Sequence, residues 1–212
     1  MPSRLLLVRH GQSEWNAQGR WQGQADPPLT DLGRQQARAA ARAIGGVDAV
    51  ISSDLQRARE TADVIADAIG VGPVIEDMGL RERDAGEWSG LTRDEIKERY
   101  PGYLPEDRHN AFAPARTGSQ RRPPGWESDE ALLDRVLEAI HRVQLVVGDG
   151  DGLVVTHGGV IYALEGHLGE PFARLANGAG RWFEVDEHRL TLGGRVLLVN
   201  DDGTPVTVPT EI

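Results

Sequence analysis

Two short apolar runs in this 212-residue chain end in the same way, and together they limit what it can fold into. Leu5-Leu6-Leu7-Val8 stops at Arg9-His10-Gly11, and Leu153-Val154-Val155-Thr156 stops at His157-Gly158-Gly159. Each run reads as a strand buried on both faces. Such strands belong to largely parallel sheets, whose ligands bind at the carboxyl ends of the strands. Each run therefore delivers a histidine to that edge, next to a glycine that lets the backbone turn away or approach a ligand closely. Taken singly, either run could also be a strand ending in solvated polar residues.

Between the two runs, helix and strand patterns alternate. Thr30 is expected to cap a helix with an alanine-rich buried face (Ala37, Ala40, Ala41, Ile44) that ends at Gly45-Gly46. Ala49-Val50-Ile51 reads as a second strand ending at Ser52-Ser53. Asp54 is expected to cap the helix that follows, whose stripe is Leu55, Ala58, Ala62, Ile65 and Ile69. Arg57 and Arg59 lie in its opening turns, where unpaired N–H groups attract anions. A solvated charged face is the competing reading, above all for Arg59-Glu60.

A short strand near Val74-Ile75 leads to a glycine-studded loop, Leu80 to Gly90, and a short helix from Thr92 to Arg99. Tyr100 to Trp126 has little periodicity, as in a lid, a binding segment or a disordered stretch. Ser128 opens a helix expected to bury Leu133, Val136, Leu137, Ile140, Val143 and Val147. The second run leads into an apolar helix through Leu168. Trp182 to Val185 and Val196 to Val199 are strand-like, with Asn200-Asp-Asp-Gly203 as a hairpin signal. The pattern predicts an α/β three-layer sandwich: a mainly parallel central sheet with an antiparallel strand, and helices on both faces. One domain is expected over 1–212, with 91–127 as a lid or insertion segment.

The formal net charge is −10, which argues against general binding of nucleic acid or anionic membranes. With no cysteine, thiol catalysis and disulfides are excluded. No signal-peptide pattern and no run of membrane-spanning length is present, so a cytoplasmic protein is expected. An anion site in so acidic a chain has to be made by a few placed arginines. If the two apolar strands are neighbours, Arg9, His10, Arg57 and His157 converge on a pocket for a dianionic phosphoryl group. A unit charge pair at ~4 Å is worth roughly 4 kcal/mol at an effective dielectric near 20. Two arginines and a protonated histidine are then expected to outweigh repulsion from distant, screened carboxylates.

At these residues the chain resembles the histidine phosphatase superfamily, the cofactor-dependent phosphoglycerate mutase-like enzymes. Arg9-His10-Gly11-Gln12-Ser13-x-Trp15-Asn16 is similar to the family's opening signature, and Ser53-Asp54-Leu55-x-Arg57-Ala58-x-x-Thr61-Ala62 to its second. Leu80-x-Glu82 with Gly86-x-Trp88-x-Gly90 resembles its acid-bearing loop, and Thr156-His157-Gly158-Gly159 its closing motif.

The resemblance implies His10 as the nucleophile, held by a backbone carbonyl at its other ring nitrogen. It implies Arg9, Arg57 and His157 on the equatorial phosphoryl oxygens, and Glu82 as acid and then base. Asn16, Gln22, Gly23, Ser13 and Gly158 would line the phosphate site, and Arg83, Arg121 and Arg122 would read a second anionic group. No metal and no cofactor is implied. The partner is a small-molecule phosphate ester, and the chain a monomer or homodimer.

The resemblance leans toward a phosphatase, because the segment before Ser128 is short and Pro124-Gly125-Trp126-Glu127-Ser128 is similar to a phosphatase pattern, with Trp126 as a departure. Arg20-x-Gln22-Gly23-Gln24-x-Asp26 is similar to the small actinobacterial-type phosphatases of the family. A mutase is the alternative, and a catalytically silent phospho-ligand or protein-binding domain a further one. His141, His167 and His188 read as structural or surface residues, and His109, in the long loop, is more open.

Overall fold

The structure, a computed structural model, describes residues 2–104, 121–186 and 189–199. The elements run β1 (Ser3–Arg9), α1 (Glu14–Ala17), α2 (Asp31–Ala43), β2 (Ala49–Ser52), α3 (Gln56–Ile69), β3 (Ile75–Glu76), α4 (Arg93–Arg99), α5 (Asp129–Val147), β4 (Asp151–Thr156), α6 (Gly158–His167), β5 (Ala179–Asp186) and β6 (Arg189–Leu197). Six strands form one sheet in the order β3-β2-β4-β1-β5-β6. β1 pairs parallel with β4, β4 with β2, and β2 with β3. β5 is antiparallel to both of its neighbours, so it alone runs against the sheet.

Alternation along β1 sorts its side chains into two layers. Leu5 and Leu7 join a core with α5 and α6 residues (Val136, Ile140, Val160, Leu164), whereas Leu6 and Val8 join one with α2 and α3 residues (Ala40, Ala41, Ala58, Ile65). The sheet is thus sandwiched, as the apolar runs within its central strands require. Each such side chain, fully buried, contributes roughly 1.5–3 kcal/mol.

β1 leads to helices on one face and β4 to α6 on the other, although β1 and β4 are neighbours. A crevice opens where such connections diverge, at the carboxyl ends of the two strands.

Several local expectations are corrected. Asp54 does not cap α3; Leu55 occupies that position without a side-chain bond, and the Asp54 carboxylate instead accepts from Arg81. The buried stripe of α5 is Leu132, Val136, Ala139, Ile140, Val143 and Val147, with Leu133 and Leu137 at its margin. Thr30 caps α2 as expected, and Thr92 and Ser128, where two later helices are expected to start, cap α4 and α5. The Asn200–Gly203 hairpin signal, most of the long loop, His109 and His188 lie outside the described residues. Among the described residues no helix is long and apolar enough to cross a membrane.

Candidate active site

The register of β1 against β4 builds the site. Arg9 is the partner of Thr156, and the His10 N–H donates to the Thr156 carbonyl at 2.9 Å, so His10 and His157 leave their strands at the same level. Their rings stand 5.1 Å apart, centroid to centroid, at 62°. Both are buried.

His10 Nδ1 lies 2.6 Å from the Gly11 carbonyl and donates to it, which leaves the Nε2 lone pair to accept from Arg57 Nε at 3.2 Å. Arg57 is fully buried in the first turn of α3, and its other nitrogens donate to the Ala25 and Gly23 carbonyls. Arg9, at the end of β1, donates to the Leu175 carbonyl at 2.7 Å. His157 Nε2 meets Ser53 Oγ at 2.9 Å, while its Nδ1 is buried without a hydrogen-bond partner among the described residues.

Electrostatics follow from this crowding. Burial first, and then the Arg57 and Arg9 guanidiniums, hold His10 well below the usual histidine range. Burial, Arg57, His10, Arg135 and Arg9 do the same to His157. Neither imidazole is protonated near neutrality, which corrects the expectation of a protonated histidine. Arg57 itself is pushed down to about 10 by burial, only partly offset by Glu82 and Asp26. The positive charge of the pit therefore comes from buried arginines with too little counter-charge, an arrangement that a dianion relieves.

Glu82 enters from the loop before Ala85. Its Oε1 accepts from the Arg83 N–H at 2.7 Å and its Oε2 from the Gly159 N–H at 3.2 Å. A Cβ at position 159 would sit 2.1 Å from Glu82 Oε1, so the carboxyl holds this place only against a glycine.

The neutral donors gather beside His10. Ser13 caps α1, and its hydroxyl accepts from the Asn16 N–H and donates to Gln22 Oε1 at 2.7 Å. Asn16 Oδ1 accepts from the Ser13 N–H and from Asn177 Nδ2, so its own amide hydrogens are not used in those bonds. Gly23 has a φ of +52°, against Ala85, in a turn that a side chain would strain. Gly158 opens α6 directly after His157.

Two neutral imidazoles, two buried guanidiniums and a carboxylate in one crevice match the sequence motifs, and a family profile settles the relationship. The profile of the histidine phosphatase superfamily (branch 1) covers residues 5–194. The chain belongs to that superfamily.

A glucosyl-3-phosphoglycerate phosphatase of Mycolicibacterium vanbaalenii is 38% identical over 174 residues, spanning 78% of this chain and 73% of that protein. A 2,3-bisphosphoglycerate-dependent phosphoglycerate mutase of Parvibaculum lavamentivorans is 33% identical over 201 residues, spanning 88% and 92%. The solved structure of a mycobacterial glucosyl-3-phosphoglycerate phosphatase complexed with VO3 superposes with a TM-score of 0.72 at 30% identity, covering 93% of this chain and 99% of that one. This histidine phosphatase thus has both phosphatases and mutases among its relatives.

The three specificity candidates lie beside aromatic rings. The Arg83 and Arg122 guanidiniums lie 5.5 and 4.6 Å from the centre of the Trp126 ring. Arg83 also pairs with Asp129. Arg122 is held below its ordinary value by burial and then by Arg83. Arg121 stands apart, exposed and 5.9 Å from the Tyr103 ring. His141 and His167 are exposed.

Sequence reading missed Asn177, which is buried and donates to the His10 carbonyl at 2.8 Å. It also gave no role to Thr61, whose hydroxyl accepts from the Gly11 N–H at 3.1 Å, or to Ser53 beneath His157. Thr61 and Ser53 stand inside the second motif and could have been found there; Asn177 carries no such signal.

Proposed function

We propose that this chain is a phosphomonoesterase that hydrolyses a small phosphorylated metabolite through a phosphohistidine on His10. The observation that carries the reading is the position of His10 Nε2: a lone pair on a neutral imidazole, facing a buried guanidinium 3.2 Å away. With Nδ1–H held by the Gly11 carbonyl, Nε2 is the atom that attacks phosphorus in line.

As the N–P bond forms, the bond from phosphorus to the ester oxygen breaks, and Glu82 gives that oxygen a proton. Water then attacks the phosphohistidine and loses its proton to Glu82, and the N–P electron pair returns to the imidazole. Arg9, Arg57 and the free Nδ1–H of His157 hold the equatorial oxygens, where charge is spread in the transition state. Asn16, Gln22 and the backbone at Gly23 and Gly158 add neutral hydrogen bonds, and Ser13 orients Asn16 and Gln22.

The substrates named for both curated relatives carry a carboxylate beside the phosphate. Arg83 and Arg122 on Trp126 suit that second anion, with Arg121 the outlying candidate. We propose one domain with 91–127 as its lid or insertion segment, of which 105–120 lie outside the described residues.

The same basic pair supports the second reading, a phosphoglycerate mutase. The test compares phosphate release from 3-phosphoglycerate and from a panel of phosphorylated metabolites with isomerisation of 3-phosphoglycerate, with and without a bisphosphate primer. Hydrolysis of at least one metabolite should outrun isomerisation. Primer-dependent isomerisation outrunning every hydrolysis would reverse the assignment.

A further inference from the structure

Glu82 stands on a stretch, Gly79 to Asp84, that belongs to no strand or α-helix, yet an acid that must meet a leaving oxygen has to be held firmly. Four successive carbonyls of this stretch find side-chain donors. Thr156 Oγ1 donates to the Leu80 carbonyl at 2.8 Å. The other three go to one residue of α5, Arg135: Nη1 donates to Gly79 at 2.9 Å and Arg81 at 2.7 Å, and Nη2 to Glu82 at 3.0 Å.

Arg135 is itself held by Glu127, through Nε to Oε1 at 2.6 Å and Nη2 to Oε2 at 2.8 Å. Glu127 completes the clasp. Its Oε2 accepts from the Asp84 N–H, its own N–H donates to the Asp84 carbonyl, and its carbonyl accepts from Arg83 Nη1. A planar guanidinium with donors in a fixed fork suits this task as a lysine ammonium cannot.

We propose that Arg135 and Glu127 are positioning residues for the general acid: the pair sets the backbone of Gly79–Asp84 so that the Glu82 carboxyl reaches the ester oxygen. The hydrogen bonds of Arg135 go to Glu127 and to the carbonyls of Gly79, Arg81 and Glu82, so its proposed effect on the leaving group is exerted through Glu82, apart from the weaker field it places on His157. The inference rests on the acid role proposed for Glu82.

A purely structural pair and a positioning pair differ in one readout, the dependence of rate on the leaving group. p-Nitrophenolate leaves with little protonation, whereas an alkoxide needs the acid. The experiment measures kcat and KM for Arg135→Ala, Arg135→Lys and Glu127→Gln on p-nitrophenyl, phenyl and alkyl phosphates, with Glu82→Gln as the reference. The ratio kcat/KM, which reports the phosphorylation step and not the shared hydrolysis of the phosphohistidine, should fall roughly 100-fold for the alkyl ester in Arg135→Ala while p-nitrophenyl phosphate loses about threefold or less. Arg135→Lys should show the same selectivity with its fold intact. Added to Glu82→Gln, Arg135→Ala should produce no further selectivity.

Equal losses of kcat/KM on all three esters in both Arg135 variants would overturn the inference. Selectivity in Glu82→Gln but not in either Arg135 variant would overturn it alone. No selectivity in Glu82→Gln would remove the acid role itself, and this inference with it.

Discussion

The Gly159 N–H donates to Glu82 Oε2 across the mouth of the crevice, joining the first turn of α6 to the acid-bearing loop. That contact brings together two parts of the chain that reach the site by different routes: α6 follows β4 directly, and the loop hangs from α5. Both are positioned by the sheet. The parallel register of β1 and β4 places His10 beside His157, and α5 and α6 pack together on one face.

Gly159→Ala tests this contact. The new Cβ meets only the tip of a side chain, so the carboxyl can swing away and the fold should persist. Turnover of alkyl esters should fall roughly 10- to 100-fold, with thermal stability nearly unchanged. Gly33→Ala makes the contrast, because its Cβ would sit 2.1 Å from the Gln12 carbonyl, a backbone atom. That variant should lose stability by roughly 1–3 kcal/mol, read by urea denaturation.

Arg57 has two tasks, binding the phosphoryl oxygens and holding the imidazoles neutral. Arg57→Ala should reduce kcat roughly 100- to 1,000-fold, since it removes preorganised donors to the transition state. It should also let His10 and His157 titrate nearer the ordinary histidine value, because Arg57 is the largest charge depressing each. Ring NMR signals followed against pH check the second effect. Unchanged titration would mean that burial alone holds the rings neutral.

The neutral histidines also set a pH dependence of stability. Folded, both take up protons only well below 6.5; unfolded, they do so at about 6.5. Between those limits the unfolded chain binds more protons, so the stabilisation is present above about 6.5 and is lost as pH falls. The urea midpoint should therefore drop between about pH 7 and 5. The drop should shrink in a His10→Asn/His157→Asn double variant.

Much of this was legible because the decisive residues stand at the ends of apolar runs. Leu5-Leu6-Leu7-Val8, short and ended by Arg9-His10-Gly11, suits a buried strand, and the alternation within it produced both layers. Asp54 was misread as a cap because its partner, Arg81, is remote in sequence and a charged pair outcompetes a capping bond. The stripe of α5 was misplaced toward Leu133 and Leu137. Ala139 faces inward instead, because α5 lies close against the turn at Gly79, where only small groups fit. Arg135 looked like any polar residue on a helix, and its role depends on carbonyls that no sequence pattern announces. The neutrality of His157 was hidden for the same reason, since it follows from burial among arginines drawn from separate elements.

The central claim is that His10 Nε2 carries the phosphoryl group, and trapping that intermediate tests it most directly. Glu82→Gln protein mixed with a 32P-labelled phosphate ester and quenched rapidly in alkali should hold the label on the peptide containing His10. That label should survive alkali and be released by mild acid, as a phosphoramidate is. Label on any other residue, or a His10→Ala protein that turns over at the wild-type rate, would contradict the account.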